Sequence, residues 1–384
     1  MHDPGLEKRT SGVERGDESE AVHERFMKRA IALARRGLGR VSPNPLVGAV
    51  LVKRGRIVAE GYHLYQKKNH AEVVALERAG RQAAGASLYL NLEPCTHQGR
   101  TPPCVDRIVE AGVAQVYVAV RDPNPQVVGK GIRRLRNQGI GVHEGLCRGE
   151  AIVLNEKYLH FVHRNRPFVL LKLALTLDGK IATGSGQSQW ITGAQARKEV
   201  HRLRYEYDAI LVGVNTLLKD DPSLDVRWTR SNSVIKVILD SRLRTQPKAK
   251  LFNSSDRVII FCGRQAPKKT FETLSKKATL IRVSGKSGEL NWSEVLAHLA
   301  RLKITSLIIE GGAQVAASAL RAGMVQKIHF FYGPKIFGGS GLSGIEDLGV
   351  GRLEEAIKLG EVRLKRLSGD FGVEAYLDTS ESSS

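Results

Sequence analysis

The sequence predicts an α/β protein of two domains. Two alternating series of helices and apolar, β-branched strands carry that reading, and a basic amphipathic stretch separates them. The length agrees, since 384 residues is about twice a usual domain of roughly 100–200 residues. Apolar residues make up 42% and charged residues 26%, the balance of a soluble globular protein with ordinary packed cores.

Residues 1–20 are polar and aperiodic and read as a disordered extension, as does the tail from Thr379 to Ser384. Phe26, Ala30, Ile31 and Ala34 then share one helix face, and Gly37 and Gly39 end the pattern. A turn signal follows at Ser42–Pro45. Strands are expected over Val47–Val52 and Ile57–Gly61, joined at Lys53–Gly55. A helix starts near Ala71. Strand Ser87–Leu92 runs through a loop into a helix near Val105–Ala111. Strand Val116–Val120 follows, then a further helix–strand pair by Val142. Residues 21–146 thus form a layered domain. Cys147–Pro167 carries Leu154, Tyr158, Phe161 and Val162 at helical spacing and reads as a connector helix over 147–166. The second domain, 167–384, has strands near Val169–Leu175, Ala209–Val212, Val234–Leu239, Val258–Phe261, Thr279–Val283, Leu307–Ile309, Ile328–Phe331 and Ala375–Leu377. Its helices lie near Ala194–Tyr205, Trp292–Leu302 and Gln314–Arg321.

The formal net charge is +20, although the first twenty residues carry six acidic side chains against three basic ones. Such an excess attracts phosphorylated small molecules and polyanions alike and does not choose between them. No stretch approaches the ~18 consecutive apolar residues of a membrane helix. The N-terminus lacks the apolar core of a secretory signal. Four cysteines are too few for a disulfide framework of this size, so a reducing cytoplasm is the expected compartment.

The chemistry-bearing motif is His70-Ala71-Glu72 at a helix start, followed by Pro94-Cys95 at a strand end and Cys104 at the start of another helix. One imidazole and two thiolates leave the fourth position of a tetrahedral zinc open to water, whose pKa the metal lowers to roughly 7. Helix N-termini favour the thiolate form. A carboxylate two residues after the His stands beside the metal without ligating it. It can pass a proton from water to departing ammonia, the zinc deaminase mechanism. Eight residues rather than two separate the cysteines, so Thr96–Pro103 must loop back to the metal; Arg100 in that loop offers a cation to an anionic substrate. His97 is an alternative fourth ligand, which would make the zinc structural. Cys147, Cys262 and His63 read as structural.

These residues, with the stretches EPCTHQGRTPPC (93–104), PNPLVGAVLV (43–52), DPNPQVVGKGI (122–132), KLALTLDGKIA (172–182), SQWITG (188–193), DDPSLDVR (220–227), IIEGGAQVAASAL (308–320) and FYGPKIFGG (331–339), closely resemble the bifunctional riboflavin-biosynthesis deaminase/reductase family. The resemblance runs from about residue 22 to 378. It implies a cytidine-deaminase-like three-layer domain followed by a dihydrofolate-reductase-like domain. It implies two reactions: zinc-dependent hydrolysis of the 2-amino group of 2,5-diamino-6-ribosylamino-4(3H)-pyrimidinone 5′-phosphate, then NADPH-dependent reduction of the ribosyl group to ribityl.

The resemblance further implies that Gly312, Ala313, Gln314, Val315, Ala316, Ala317 and Ser318 line the dinucleotide pyrophosphate. Ala174, Trp190, Thr216, Asp220 and Ser241 would be further NADPH contacts, and Ser188, Arg204, Leu224, Arg227 and Glu310 would touch the substrate. Residue chemistry alone leaves more open. Glu310-Gly311-Gly312 after a strand is a phosphate cradle or a plain tight turn. Arg204 and Arg227 suit a phosphate because guanidinium matches its oxygens in pairs. Lys172 and Asp178 face the expected cleft or serve structure. Trp190 is a contact or a core aromatic, and Asp220 a contact or a turn residue. Arg242 or Arg244 would meet a 2′-phosphate, or is simply exposed.

A rival reading keeps the deaminase and makes the basic second half a nucleic-acid-binding module. With aromatics at only 6%, the stacking platforms of single-strand binders are scarce, so no nucleic acid and no membrane is expected as partner. A homo-oligomer is compatible with this reading, and no residue specifies one.

Overall fold

A computed structural model describes residues 14–67, 69–96, 102–227, 234–286 and 288–378, with side chains from residue 20 onward. Two compact units divide between His163 and Arg164. None of the helices searched among the described residues is long and apolar enough to cross a membrane.

The first unit contains α1 (Glu14–Ala34), β1 (Gly48–Lys53), β2 (Arg56–Tyr62), α2 (Ala71–Ala79), β3 (Ser87–Leu90), α3 (Cys104–Glu110), β4 (Gln115–Val118), α4 (Lys130–Asn137), β5 (Gly141–Glu144), α5 (Arg148–Leu154) and α6 (Glu156–Arg164). The sheet order is β2-β1-β3-β4-β5, antiparallel across β2-β1-β3 and parallel across β3-β4-β5. Arg54 and Gly55 both take positive φ, 51° and 71°, the turn that matches the twist of a two-residue hairpin. Strand residues alternate between faces. Leu51, Leu88, Leu90 and Val116 pack on Ala75 of α2, Val105 and Ile108 of α3 and Leu135 of α4. Val50, Val52 and Tyr89 pack on Phe26, Met27 and Ile31 of α1 and Ala151 of α5. The result is three layers.

One close approach positions the chemistry. A Cβ on Gly61 of β2 would lie 2.2 Å from the Ala71 carbonyl oxygen. Glycine therefore lets α2, which opens directly after His70, lie against the sheet closer than any side chain would permit.

Two sequence expectations change here. First, α1 begins at Glu14, so the last seven residues of the expected disordered extension are helical. Once the Phe26–Ala34 stripe is anchored, each added residue propagates a helix without a new nucleus. Residues 1–13 and 379–384 lie outside the described residues. Second, the connector is two helices packed into the first unit, not one spacer helix. Asn155 separates them: its carboxamide accepts from the Leu46 N–H at 2.8 Å and donates to the Leu46 carbonyl at 2.9 Å. A side chain that competes for backbone partners in this way suits a helix break.

The second unit contains β6 (Phe168–Thr176), β7 (Lys180–Ala182), α7 (Ala194–Glu206), β8 (Ala209–Gly213), α8 (Val214–Asp220), β9 (Ile235–Leu239), β10 (Val258–Gly263), α9 (Lys268–Leu274), β11 (Thr279–Val283), β12 (Gly285–Lys286), β13 (Glu289–Leu290), α10 (Trp292–Arg301), β14 (Ser306–Glu310), α11 (Ala313–Arg321), β15 (Lys327–Gly333), β16 (Leu342–Ser343), β17 (Arg363–Leu367) and β18 (Asp370–Tyr376). Nine strands form one sheet in the order β11-β10-β9-β8-β14-β6-β15-β18-β17. Its first seven strands are parallel, and β18 and β17 are antiparallel additions. Helices cover both faces, so the central strands β8 and β14 are buried along their whole length. That is why they read as unbroken apolar runs. β17 was not expected from sequence. Four of its five residues are exposed, and a charged edge strand has no apolar alternation to detect.

Candidate functional site

The first site lies beyond the carboxyl end of β3. His70 is the extended residue before α2, and Cys104 opens α3. Their ligand atoms and that of Cys95 lie within 4.8 Å of one another. His70 Nδ1 is 3.0 Å from Cys104 Sγ and 3.6 Å from Cys95 Sγ. Bonds of about 2.0–2.3 Å around a tetrahedral zinc put neighbouring ligands roughly 3.5–3.8 Å apart, so these three side chains need little movement to close on one. The Cys104 thiol, and then the His70 imidazole, donate toward the Cys95 sulfur and hold its pKa at about 4. Cys104 is pushed up by the same pairing, and His70 is raised to about 9, chiefly by its bond to Cys95. This donor set is poised for a divalent cation.

Glu72 supplies a second test of fit. It is buried at 3% exposure, burial raises its pKa, and its Oε2 has no hydrogen-bond partner among the described residues. A buried carboxylate oxygen without a partner is costly unless something else engages it. It borders a cavity of about 270 Å³ together with His70 and Cys95. His97 and Arg100 lie outside the described residues.

Several wall residues of this cavity escaped the sequence reading. Asn44, Asp122, Asn124 and Tyr158 border it, as does His63, for which the sequence alone suggests a structural role. The Asn44 carboxamide nitrogen donates to His63 Nε2 at 3.0 Å, which places the imidazole hydrogen on Nδ1, facing the Asn69 carbonyl at 3.2 Å. The only sequence signal was the Asn-Pro pair shared by the turns at 43–45 and 122–125. Glu93 accepts from the N–H groups of Gly129, Gly131 and Ile132. It thereby ties α4 to the Pro94-Cys95 turn, where a Cβ on Gly131 would meet the Pro94 carbonyl at 2.3 Å. Among the described residues, Cys147 and Cys262 belong to no metal-ligating group.

The second site is a cleft of about 540 Å³ at the carboxyl ends of β6, β8 and β14, where open parallel sheets generally bind ligands. Of the residues singled out above, Ala174, Ser188, Thr216, Asp220, Ser241, Glu310, Gly312, Ala313, Gln314, Val315 and Ser318 line it, with Lys172 and Arg244. Asn215, Lys219, Trp292, Ser343 and Glu346 line it too and were not anticipated. Gly311 and Gly312 take φ of 93° and 83°, so the turn into α11 requires glycine.

Other residues expected as contacts fall outside this lining. Ala316 and Ala317 are fully buried. Successive helix residues rotate by about 100°, so a run of seven cannot present every side chain to one ligand. Trp190 is neither a core aromatic nor a cleft wall. It is 61% exposed and stacks under the Arg197 guanidinium, 4.6 Å from its ring centre. Leu224 is buried in an apolar cluster with Ile238 and Ile260, Arg227 is exposed outside the cleft lining, and Arg242 does not line it. Asp178 accepts from the Thr176 hydroxyl and the Gly338 N–H, a loop clasp rather than a cleft group. Arg204 is no free phosphate ligand. Its guanidinium engages both Glu310 oxygens and the Asp225 carbonyl. Lys172 Nζ lies 3.7 Å from Glu310. Burial opposes the Glu310 charge, but Arg204 and Lys172 outweigh it and hold its pKa at about 2.

Comparison with known proteins gives the same partition. The cytidine and deoxycytidylate deaminase zinc-binding region matches residues 20–120, and the RibD C-terminal domain matches 167–371. The riboflavin biosynthesis protein RibD of Aquifex aeolicus is 43% identical over 91% of this chain and 97% of its own length. That of Escherichia coli is 39% identical over 85% and 92%. Among solved structures, a diaminohydroxyphosphoribosylaminopyrimidine deaminase/5-amino-6-(5-phosphoribosylamino)uracil reductase from Thermotoga maritima covers 94% of this chain and all of its own, with TM-score 0.83 and 39% identity. RibD of Acinetobacter baumannii gives TM-score 0.85 at 32% identity, over 94% of this chain and 100% of its own. The rival reading of the second half as a nucleic-acid-binding module is not supported, because the reductase-type domain model occupies that half.

Proposed function

The chain belongs to the family of bifunctional riboflavin-biosynthesis deaminase/reductases, and on that premise we infer how its two sites divide the work. The first unit hydrolyses the 2-amino group of 2,5-diamino-6-ribosylamino-4(3H)-pyrimidinone 5′-phosphate. The second reduces the ribosyl chain of the deaminated product to ribityl with NADPH.

The observation that carries the first half is Glu72, buried and, among the described residues, without a partner at one oxygen, beside the His70–Cys95–Cys104 cluster. Those three side chains would hold a zinc ion, which would supply Lewis-acid activation of a water. Glu72 accepts the water's proton and delivers it to the departing nitrogen as ammonia. The cavity walls orient the ring and limit bulk water.

In the second unit, Gly312, Ala313, Gln314, Val315 and Ser318 at the start of α11 suit the cofactor pyrophosphate. Ala174, Thr216, Asp220 and Ser241 complete that wall, and Arg244, which lines the same cleft, suits a 2′-phosphate. Ser188, Lys172 and Glu310 face the substrate, and Arg204 acts through Glu310. These residues would hold NADPH, which would supply the hydride, and would orient it against the sugar. The reading places the protein in the cytoplasm, among phosphorylated small molecules.

The test follows ammonia release and NADPH oxidation together, with zinc-loaded protein and the ribotide generated in situ. Ammonia first and NADPH loss second supports both assignments. Ammonia without NADPH loss overturns the assignment of the second unit.

A further inference from the structure

We propose that Tyr158, on α6 of the segment that follows the sheet of the first unit, is a positioning residue for deamination: it fixes the Asp122 carboxylate at the wall of the cavity that holds His70, Glu72 and Cys95. This rests on the deaminase reading above. It assigns a part in the reaction to a segment that the sequence presents as a connector helix.

The geometry is specific. The Tyr158 hydroxyl lies 3.0 Å from Asp122 Oδ1 and 3.1 Å from Oδ2, so its single proton is shared between both oxygens. Oδ1 also accepts from the Asn124 N–H at 2.9 Å. Asp122 is 6% exposed, and all three side chains border the cavity. A carboxylate is an acceptor only. With its plane set by Tyr158, its remaining lone pairs are directed rather than free to rotate. The substrate offers matching donors in its exocyclic amino groups and sugar hydroxyls. Burial, and then the neighbouring Asp122, push the Tyr158 pKa upward, so the phenol keeps its proton at neutral pH. The opposite end of α6's approach is also fixed, since Asn155 just before it is clamped to Leu46.

A positioning role predicts a binding defect transmitted through Asp122. The experiment uses full-length, zinc-loaded protein and ammonia release from the ribotide, for wild type, Tyr158→Phe, Asp122→Asn and the double variant. Tyr158→Phe is expected to raise KM about tenfold, the scale of one directed hydrogen bond to a charged group. Its kcat stays within about twofold of wild type, and the double variant has the KM of Asp122→Asn alone, the non-additivity of two groups acting as one. Zinc content and NADPH oxidation on the deaminated intermediate stay at wild-type levels. A wild-type KM in Tyr158→Phe, or KM effects that multiply in the double variant, overturns the proposal while leaving the deaminase reading intact. Should Tyr158→Phe lose zinc or unfold, Asp122→Asn decides: an unchanged KM there overturns the proposal too. No ammonia from the wild type would sink the deaminase reading and this inference together.

Discussion

Arg204 and Glu310 form a two-point clamp, Nε to Oε1 at 2.6 Å and the second terminal nitrogen to Oε2 at 2.8 Å. Both side chains are largely buried, so the pair is held away from water's screening. Glu310 lines the second unit's cleft and Arg204 does not; on the function proposed above, the arginine orients the carboxylate.

Arg204→Lys should therefore fail as a conservative change, because an ammonium cannot reproduce the planar fork. Breaking a buried pair by removing one partner costs about 3–5 kcal/mol. We expect a lower melting temperature for the second unit and loss of NADPH oxidation, with ammonia release unchanged. Wild-type reduction in Arg204→Lys would mean that one contact to Glu310 suffices.

The same clamp makes a pH prediction. The Glu310 pKa is depressed from 4.5 to about 2 on folding. A depressed acid stabilises the fold fully above its unfolded value, and that stabilisation is lost as pH falls through the folded value. Wild type should thus lose stability between about pH 4.5 and 2. Glu310→Gln should be less stable at pH 7, with the gap narrowing across that window. Melting curves from pH 7 downward check this, and a gap constant with pH contradicts it.

Glu72→Gln keeps the size and removes the proton carrier. Deamination should fall by roughly 10²–10⁴-fold, while bound zinc and NADPH oxidation on the deaminated intermediate persist. Metal analysis alongside the ammonia assay separates this from a ligand role for Glu72, in which zinc would be lost.

Cys104→Ser, or exposure to a strong chelator, should strip zinc and abolish ammonia release without touching reduction. Thermal unfolding of the first unit should shift down in parallel, because metal bound only by the folded state adds its binding energy to stability. Full ammonia release by metal-free protein would refute the metal assignment.

Gly312→Val targets the turn into α11. Its φ of 83° disfavours any side chain by about 1–2 kcal/mol, and a Cβ there sits 3.3 Å from Thr216 Oγ1. The KM for NADPH should rise about tenfold or more, with deamination unaffected. An unchanged KM would move the cofactor away from this turn.

What sequence made legible follows from how narrowly chemistry constrains residue type. His70, Cys95 and Cys104 could be read despite their unusual spacing, because few side chains can bind zinc and the elements that carry them were visible as apolar periodicity. Asn44, Asp122 and Tyr158 could not, since polar residues in turns and helices serve many purposes and only folding brings these three to one cavity. In the second unit the buried strands were plain, while the exposed β17 and the short helices α8 and α9 left no periodic trace. The run 312–318 was read as continuous, yet helical rotation turns Ala316 and Ala317 inward. Arg204 and Glu310 were read as two separate substrate contacts; their mutual pairing across 106 positions is a tertiary fact.

The clamp of Asn155 on Leu46 has a consequence for synthesis. It joins groups 109 positions apart, and Leu46 precedes every strand of its sheet. During elongation the loop after α1 must wait for nearly the entire first unit to emerge before its backbone groups find this partner. Closing so long a loop is entropically opposed until the intervening sheet has formed. The segment 147–163 is therefore the latch of the first unit, set last. A nascent chain halted before Asn155 would carry the metal-ligating residues without this clamp on the loop after α1.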